Sequence, residues 1–495
     1  MNMQMESVTI SCLDTLVQEV RTAELTQQLK LPDGMPDLGK VLAAWGQVVI
    51  RGKEWREEEL MASGGVLVWV LYQPEDGSEV CWLDSWIPFQ MKWELPDNAP
   101  EGVMRLHCLT RFVDGRGVSP RKIMVRCGIA AGMEALAAIR REATVPAEEN
   151  RDVELLKVTY PLRLNKEAGE KVFSLDEDIS VADSAPDPEK LVYFHMEPRI
   201  TDCRVLADKL AFRGSGNLHL LYRSAEGTLQ SWDAALPFSQ IVELDREYTS
   251  DAQGNVIPVI TNLESEVDAE GHIRVKCGIA AQYQISDRER ICIVEDAYSP
   301  EREIAVRREL LELPVVLETR RESKLVEVPG PMDAARFVDV AFHTDFPRYR
   351  RGETGVDLEF TGSFQTLFYD AAGCLQSANA RWENRQQMKA HEDSEISAMP
   401  LPGEPILPSG GQLRTELPVE YTTSAHQQIS TVTAVEPGQR RIPDPDRPAL
   451  ILRRAGEGRL WDIAKSSGST VAEIRRANSL QGEPLPGQLL LIPIP

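Results

Sequence analysis

Apolar and polar positions along the chain fall into short runs, not long helical stripes. "GVLVWVLY" (65–72) and "GNLHLLYR" (216–223) are rich in β-branched and aromatic residues, and each ends in a polar turn cluster, "PEDGS" and "SAEG". Phe364, Thr366 and Phe368 alternate with their neighbours and so share one face of a strand. "VDAEGHIRVKCGI" (267–279) reads as strand, turn, strand. The departure is "MEALAAIRR" (Met133–Arg141), whose helix-favouring residues predict a short helix between units.

The pattern repeats. "VLYQPEDGSEVCWLDSWIPFQMKWEL" (70–95) parallels "LLYRSAEGTLQSWDAALPFSQIVEL" (220–244), with Pro88-Phe89 answering Pro237-Phe238 at a displacement of 149. "VRCGIAA" (125–131) answers "VKCGIAA" (275–281) at 150, and "ELLK" (154–157) answers "ELLE" (309–312). A fainter third copy, "GSFQTLFYDAAGCLQS" (362–377), overlays 216–231 without a gap at 146; it puts Trp382 where Leu236 stands and loses the Pro-Phe pair. Units of about 150 residues are too long for solenoid repeats and suit tandem domains. The expected fold is multidomain and mainly β, with β-rich units over 8–145, 152–300 and 308–435. Pro-rich joints fall in "ATVPAEEN", "DSAPDPEK" and "PLPGEPILPSGG", and a semi-rigid linker over 436–447 leads to a small α+β module at 448–495.

That last module reads βααβ. "ALILR" (Ala449–Arg453) is a strand, and Leu460, Ile463 and Ala464 recur on one face of a helix that Gly468 ends. Thr470 and Glu473 have capping-box spacing at the start of a second helix. Val471, Ile474 and Ala477 line its apolar face, Arg475 and Arg476 point outward, and Asn478 is the left-handed stop. Pro486-Gly487 turns the chain into the closing strand "QLLLIP".

Composition narrows the function classes. Hydrophobic content of 42% and aromatic content of 6% fit a globular chain. No export signal is expected near residue 1 and no membrane span anywhere, and eight scattered cysteines without CxxC pairs fit reduced thiols. The net charge of −23 argues against nucleic acid as a partner. Residues 447–495 hold seven Lys/Arg against four Asp/Glu, net +3, leaving 47 against 73, net −26, on the rest. A basic module on an acidic body suits contact with an acidic partner or with its own neighbours.

Catalytic chemistry is not expected. Seven single histidines form no metal-ligand spacing, so no metal site and no cofactor are predicted. His219 reads as a half-buried strand residue. Cys127 and Cys277 occupy equivalent repeat positions, which favours packing over reactivity. "REEE" (56–59) and "LDEDIS" (175–180) read as solvated carboxylate runs, and no nucleotide loop or nucleophile elbow occurs.

Leu460, Trp461, Ile463, Ala464, Val471, Ile474, Asn478 and the closing Leu485-Pro486-Gly487-Gln488-Leu489 with Ile492-Pro493 resemble the LysM module. The family's Gly-Asp-Thr before the first helix stands here as Gly456-Glu457-Gly458-Arg459. The resemblance implies a groove for N-acetylglucosamine chains between that loop and the loop before the last strand. The partner- or glycan-binding residues it implies are Glu457, Gly458, Arg459, Leu485, Pro486 and Gly487, extended by Trp461, Arg475 and Arg476.

The larger units resemble the SPOCS domain of spore-coat proteins, through "LPDGMPDLGKVLAAWGQVVIRG" (31–52), "IPFQ", "LPFSQ" and the paired "CGIAA" strands. Three such units before a LysM module resemble the order found in clostridial spore-coat morphogenetic proteins. What this implies is a non-enzymatic scaffold in the mother-cell cytoplasm at the forespore surface, docked to a coat-basement ATPase and to other coat proteins. The alternative is a peptidoglycan- or chitin-binding protein.

Overall fold

A computed structural model describes residues 6–145, 152–181, 185–268, 271–352, 355–389, 393–403, 406–409, 411–442 and 448–494. The joint expected at 146–150 and part of the 436–447 linker lie outside them.

The strands form three sets. The first holds β1 (Glu6–Lys30), β2 (Leu38–Trp55), β3 (Glu59–Pro74), β4 (Cys81–Glu94), β5 (Gly102–Ser119) and β6 (Lys122–Val145). The second holds β7 (Glu154–Ile179), β8 (Pro188–Leu206), β9 (Lys209–Ser224), β10 (Leu229–Glu243), β11 (Gln253–Val267) and β12 (Ile273–Tyr298). The third holds β13 (Arg302–Pro329), β14 (Ala334–Thr344), β15 (Arg348–Arg351), β16 (Gly355–Asp370), β17 (Leu375–Lys389), β18 (Ser394–Pro400), β19 (Leu407–Ser409) and β20 (Gln412–Arg440). In each set the first strand pairs antiparallel with the last, giving orders β1-β6-β5, β7-β12-β11 and β13-β20-β18. The middle strands form a meander, β2-β3-β4, β8-β9-β10 and β14-β16-β17.

The repeat extends to irregular features. Bulges interrupt the β2–β3 ladder at Leu38/Lys40, Val41/Ala43 and Ile50/Gly52, and the β8–β9 ladder at Pro188/Lys190, Leu191/Tyr193 and Ile200/Asp202. The third copy keeps two, at Ala334/Arg336 and Phe337/Asp339. Tyr72 and Tyr222 each donate their hydroxyl to a proline carbonyl, of Pro36 and Pro186, at 3.1 Å. An inserted residue bends its strand and fixes the side chains on either side, so bulges shared in register mark one backbone built three times.

The Pro-Phe motif has a packing reason. Phe89 lies opposite Gly64 and Phe238 opposite Gly214. A Cβ on Gly214 would stand 2.0 Å from the Arg199 carbonyl and 2.8 Å from the Phe238 ring. The third copy reverses the pair, with Phe360 on the central strand opposite Asn384. Trp382 faces Gly362 as Leu236 faces Gly216.

Met133–Arg141 is strand, not helix. Alanine, methionine, leucine and glutamate favour helix locally, but here the segment pairs with β1 throughout and with β5 as far as Ala137. Tertiary pairing overrides propensity.

The three sets share their cores. Ile10 and Ala143, Leu164 and Ile293, and Leu313 and Ile429 form one apolar cluster under the long outer hairpins. Trp45, Trp69 and Leu71, Tyr193 and Leu221, and Val338 and Leu367 form a second, between the meanders. β1 touches β7, β7 touches β13 and β13 touches β1, so the sets close a ring.

The C-terminal module follows as β21 (Leu450–Arg454), α1 (Leu460–Ser467), α2 (Val471–Asn478) and β22 (Leu489–Pro493), with β21 antiparallel to β22. Gly468 closes α1 at φ 63°. The Thr470 hydroxyl accepts from Glu473 N at 3.1 Å. The left-handed stop of α2 is Ser479 at φ 52°, one residue after Asn478. Asn478 instead bonds the backbone of Leu491, its amide donating to the carbonyl at 2.6 Å and its oxygen accepting the N–H at 2.7 Å. Ala477 is exposed; Ile474 alone of α2 is fully buried.

Candidate functional site

The two loops of the C-terminal module lie side by side because the strands behind them pair. Ala455 N donates to Gln488 O and Gly487 N to Ala455 O, both at 2.8 Å. The Glu483 carboxylate accepts from Leu460 N at 2.6 Å, and Asp462 from Arg459 N at 3.2 Å, so two acids meet the exposed amides at the start of α1.

The residues singled out in sequence divide into two groups. Glu457, Gly458, Leu485, Pro486 and Gly487 are exposed on these loops. Arg475 and Arg476 are exposed on α2, with Arg475 3.8 Å from Glu483. Arg459 and Trp461 turn toward the end of β12. Arg459 pairs with Glu295 at 3.1 Å. Trp461 is 6% exposed, packs edge-on against Tyr298 at 4.7 Å and donates its indole N–H to Asp296 at 2.9 Å. Lys465 reaches the same carboxylate at 2.6 Å, and Tyr298 donates its hydroxyl to Ser469 O at 2.8 Å. Burial works to raise the Asp296 carboxyl, but hydrogen bonds from Lys465, Trp461 and Arg308 hold it below the usual range. The basic module thus contacts its own acidic body.

A second constellation was not legible in sequence. Asp339 on β14, 3% exposed, accepts from Trp45 Nε1 at 2.8 Å and from His219 Nε2 at 2.6 Å, joining all three sets through one carboxylate. His219 is also bonded through Nδ1 to Asp233 at 2.7 Å. Burial opposes its charge, but Asp339 and Asp233 outweigh that and raise His219 to about 10. Tyr193 stacks on Trp45 at 4.9 Å. His195 and His343 nearby are driven by burial to about 3 and about 4, and burial lifts Glu197 to about 7. The partners are 120 and 294 residues from Asp339. The one available signal was a carboxylate within the apolar run of the third copy.

A cavity of about 700 Å³ opens between the sets. A network crosses it: Arg105 bonds Glu134 at 2.7 Å and also Gln284 and Asn255, Asn255 bonds Glu420, and Arg321 pairs with Glu420 at 2.7 Å. Its charges are largely spent on one another. Burial pushes Cys127 up to about 11 and Cys277 up to about 12, so both stay protonated thiols in packed strands. Among the described residues no group of three His, Cys, Asp or Glu is placed to hold a metal, and no helix is long and apolar enough to cross a membrane.

Taken together, these features define a multidomain, mainly β protein with a small α+β end module. Residues 187–268, which span β8 to β11, match the family model described as SipL, SPOCS domain. The chain therefore contains a SPOCS domain, which ties it to sporulation. No curated protein and no solved structure matches it.

Proposed function

We propose that this chain is a non-enzymatic scaffold of spore-coat assembly. It works in the mother-cell cytoplasm at the forespore surface, where it docks to a coat-basement ATPase and tethers further coat proteins. The SPOCS domain at 187–268 is the observation that carries this reading. The same bulge register in the flanking strand sets supports extending it to three units of one kind. The end module is a LysM-type head used for protein contact, with Glu457, Gly458, Leu485, Pro486 and Gly487 on its open loops. Engagement of Arg459 and Trp461 by the body favours protein contact over a sugar groove, since both adjoin that groove and are held by carboxylates.

A fluorescent fusion of the full chain should form a shell around the forespore and lose it when the basement ATPase is deleted. Diffuse signal in sporulating cells, or saturable binding to insoluble peptidoglycan without binding to the ATPase, would replace this reading with the glycan-binding one.

A further inference from the structure

The outer face of the β21–β22 sheet is apolar and uncovered. Leu490 and Ile492 of β22 are fully buried under the helices. Their neighbours point the other way: Leu450 and Leu452 are 52% and 59% exposed, Leu489 and Leu491 52% and 37%. The register places them together, with Leu452 opposite Leu491, Leu450 opposite Pro493 and Arg454 opposite Leu489. Four leucines, a proline and one arginine therefore form a single patch.

Such a face does not follow from the strand pattern. A two-stranded sheet covered by helices on one side normally carries polar residues on the other. Elsewhere exposed leucines stand apart, as Leu310, Leu317 and Leu325 do along β13. Contiguous exposed apolar patches on a folded unit concentrate at interaction sites, whereas single exposed apolar residues need no explanation. The body engages the module through α1, by way of Trp461, Lys465 and Ser469, and leaves this sheet face free among the described residues. On β22 the Asn478 side chain occupies the backbone groups of Leu491, so that strand edge does not offer the same invitation as the face.

We propose that this face, and not the loop groove, is where the module seats a partner protein presenting an apolar surface bordered by carboxylates. The occupant is fixed by charge. Arg454 sits within the patch, while the body's carboxylates take up Arg459 and Lys465 on the module's other side. A second copy would bring an identical cationic face and another body of like charge. An acidic rim meets Arg454 favourably and leaves the leucines to bury against apolar groups. The proposal deepens the scaffold reading and names the surface that docking would use.

The test uses the full chain. Leu452→Thr with Leu491→Thr removes the apolar groups at positions already in solvent and keeps a strand-favouring, uncharged cross-strand pair, so the thermal melt should be unchanged; Leu310→Thr on the exposed face of β13 is the control. Binding to the purified coat-basement ATPase should fall at least tenfold in the double variant and less than twofold in the control, and the forespore shell should be lost. If wild-type chain binds the ATPase and the double variant binds equally, the face is wrong and the scaffold reading stands. If wild-type chain does not bind the ATPase, yet the double variant alone loses its shell, the face is supported and the named partner falls. If neither readout responds, the face is wrong. Sedimentation showing a wild-type dimer that the double variant abolishes would make the occupant a second copy and overturn the proposal.

Discussion

At the scale of single residues, Asp339 is the position on which most converges. It occupies the bulge position that holds Tyr193 in the second set and Ala43 in the first. It accepts the indole N–H of one set and the imidazole of another. Replacing it with alanine leaves the Nε2 side of a charged His219 and a buried Trp45 N–H unpartnered, with Asp233 still bonded to Nδ1, which should cost about 3 kcal/mol in denaturant unfolding. The pH dependence follows from linkage. His219 ordinarily titrates at 6.5 and is raised to about 10 when folded, so its contribution is fully present below pH 6.5 and is lost as pH rises through about 10. Urea unfolding from pH 6 to 10 should show a shallower alkaline decline in Asp339→Asn than in the wild type. Equal slopes would mean that Asp233 alone holds the proton.

At the scale of elements, the sequence was legible wherever one strand or helix carried its own punctuation. The meander strands, the turns at Gly77, Gly227 and Gly373 with φ of 72°, 79° and 77°, and the Gly468 stop were all marked by residues whose conformational reasons are local. β6 was not, because Met133–Arg141 has the composition of a helix and becomes a strand only through β1 and β5, partners far along the chain. Asn478 was read as a stop but serves as a clamp on β22, which depends on what lies 13 residues later. The candidate loops were found in sequence; that Arg459 and Trp461 would face β12 was not, since no local pattern encodes which neighbour a module meets. The faces of α2 supply a check. Ile474→Asp buries an unpaired carboxylate at a fully enclosed position and should destabilise the module by at least about 3 kcal/mol. Arg475→Glu alters an exposed charge near a helix end and should cost about 1 kcal/mol or less. Hydrogen exchange of the α2 amides in the full chain distinguishes them: fast throughout for the first, near wild type for the second.

At the scale of the whole molecule, the end module is tied back to β12 by a small set of charged contacts over a narrow apolar seam. Glu295 and Asp296 take Arg459, Trp461 and Lys465, while Tyr298 and Leu156 pack against the module's core. Glu295→Ala with Asp296→Ala removes both acceptors and should free the module on its tether. Small-angle scattering would register this as a larger radius of gyration, with the strand sets still melting cooperatively but slightly lower because Arg308 and Tyr160 also lose a partner; an unchanged radius would assign the seam to the apolar contact alone. The ring of strand sets bears on how the chain is made. β13 pairs with β20 along nearly its whole length, and the third set supplies Leu313, Ile429, Val338 and Leu367 to clusters begun by the other two. A ribosome adding about 5–20 residues per second delivers that third set many seconds after the first strands have emerged. Through that interval the first two sets can bury their parts of the shared clusters only against each other, so the side that Leu313, Ile429, Val338 and Leu367 later close stays open to water and to neighbouring chains until the last strands arrive.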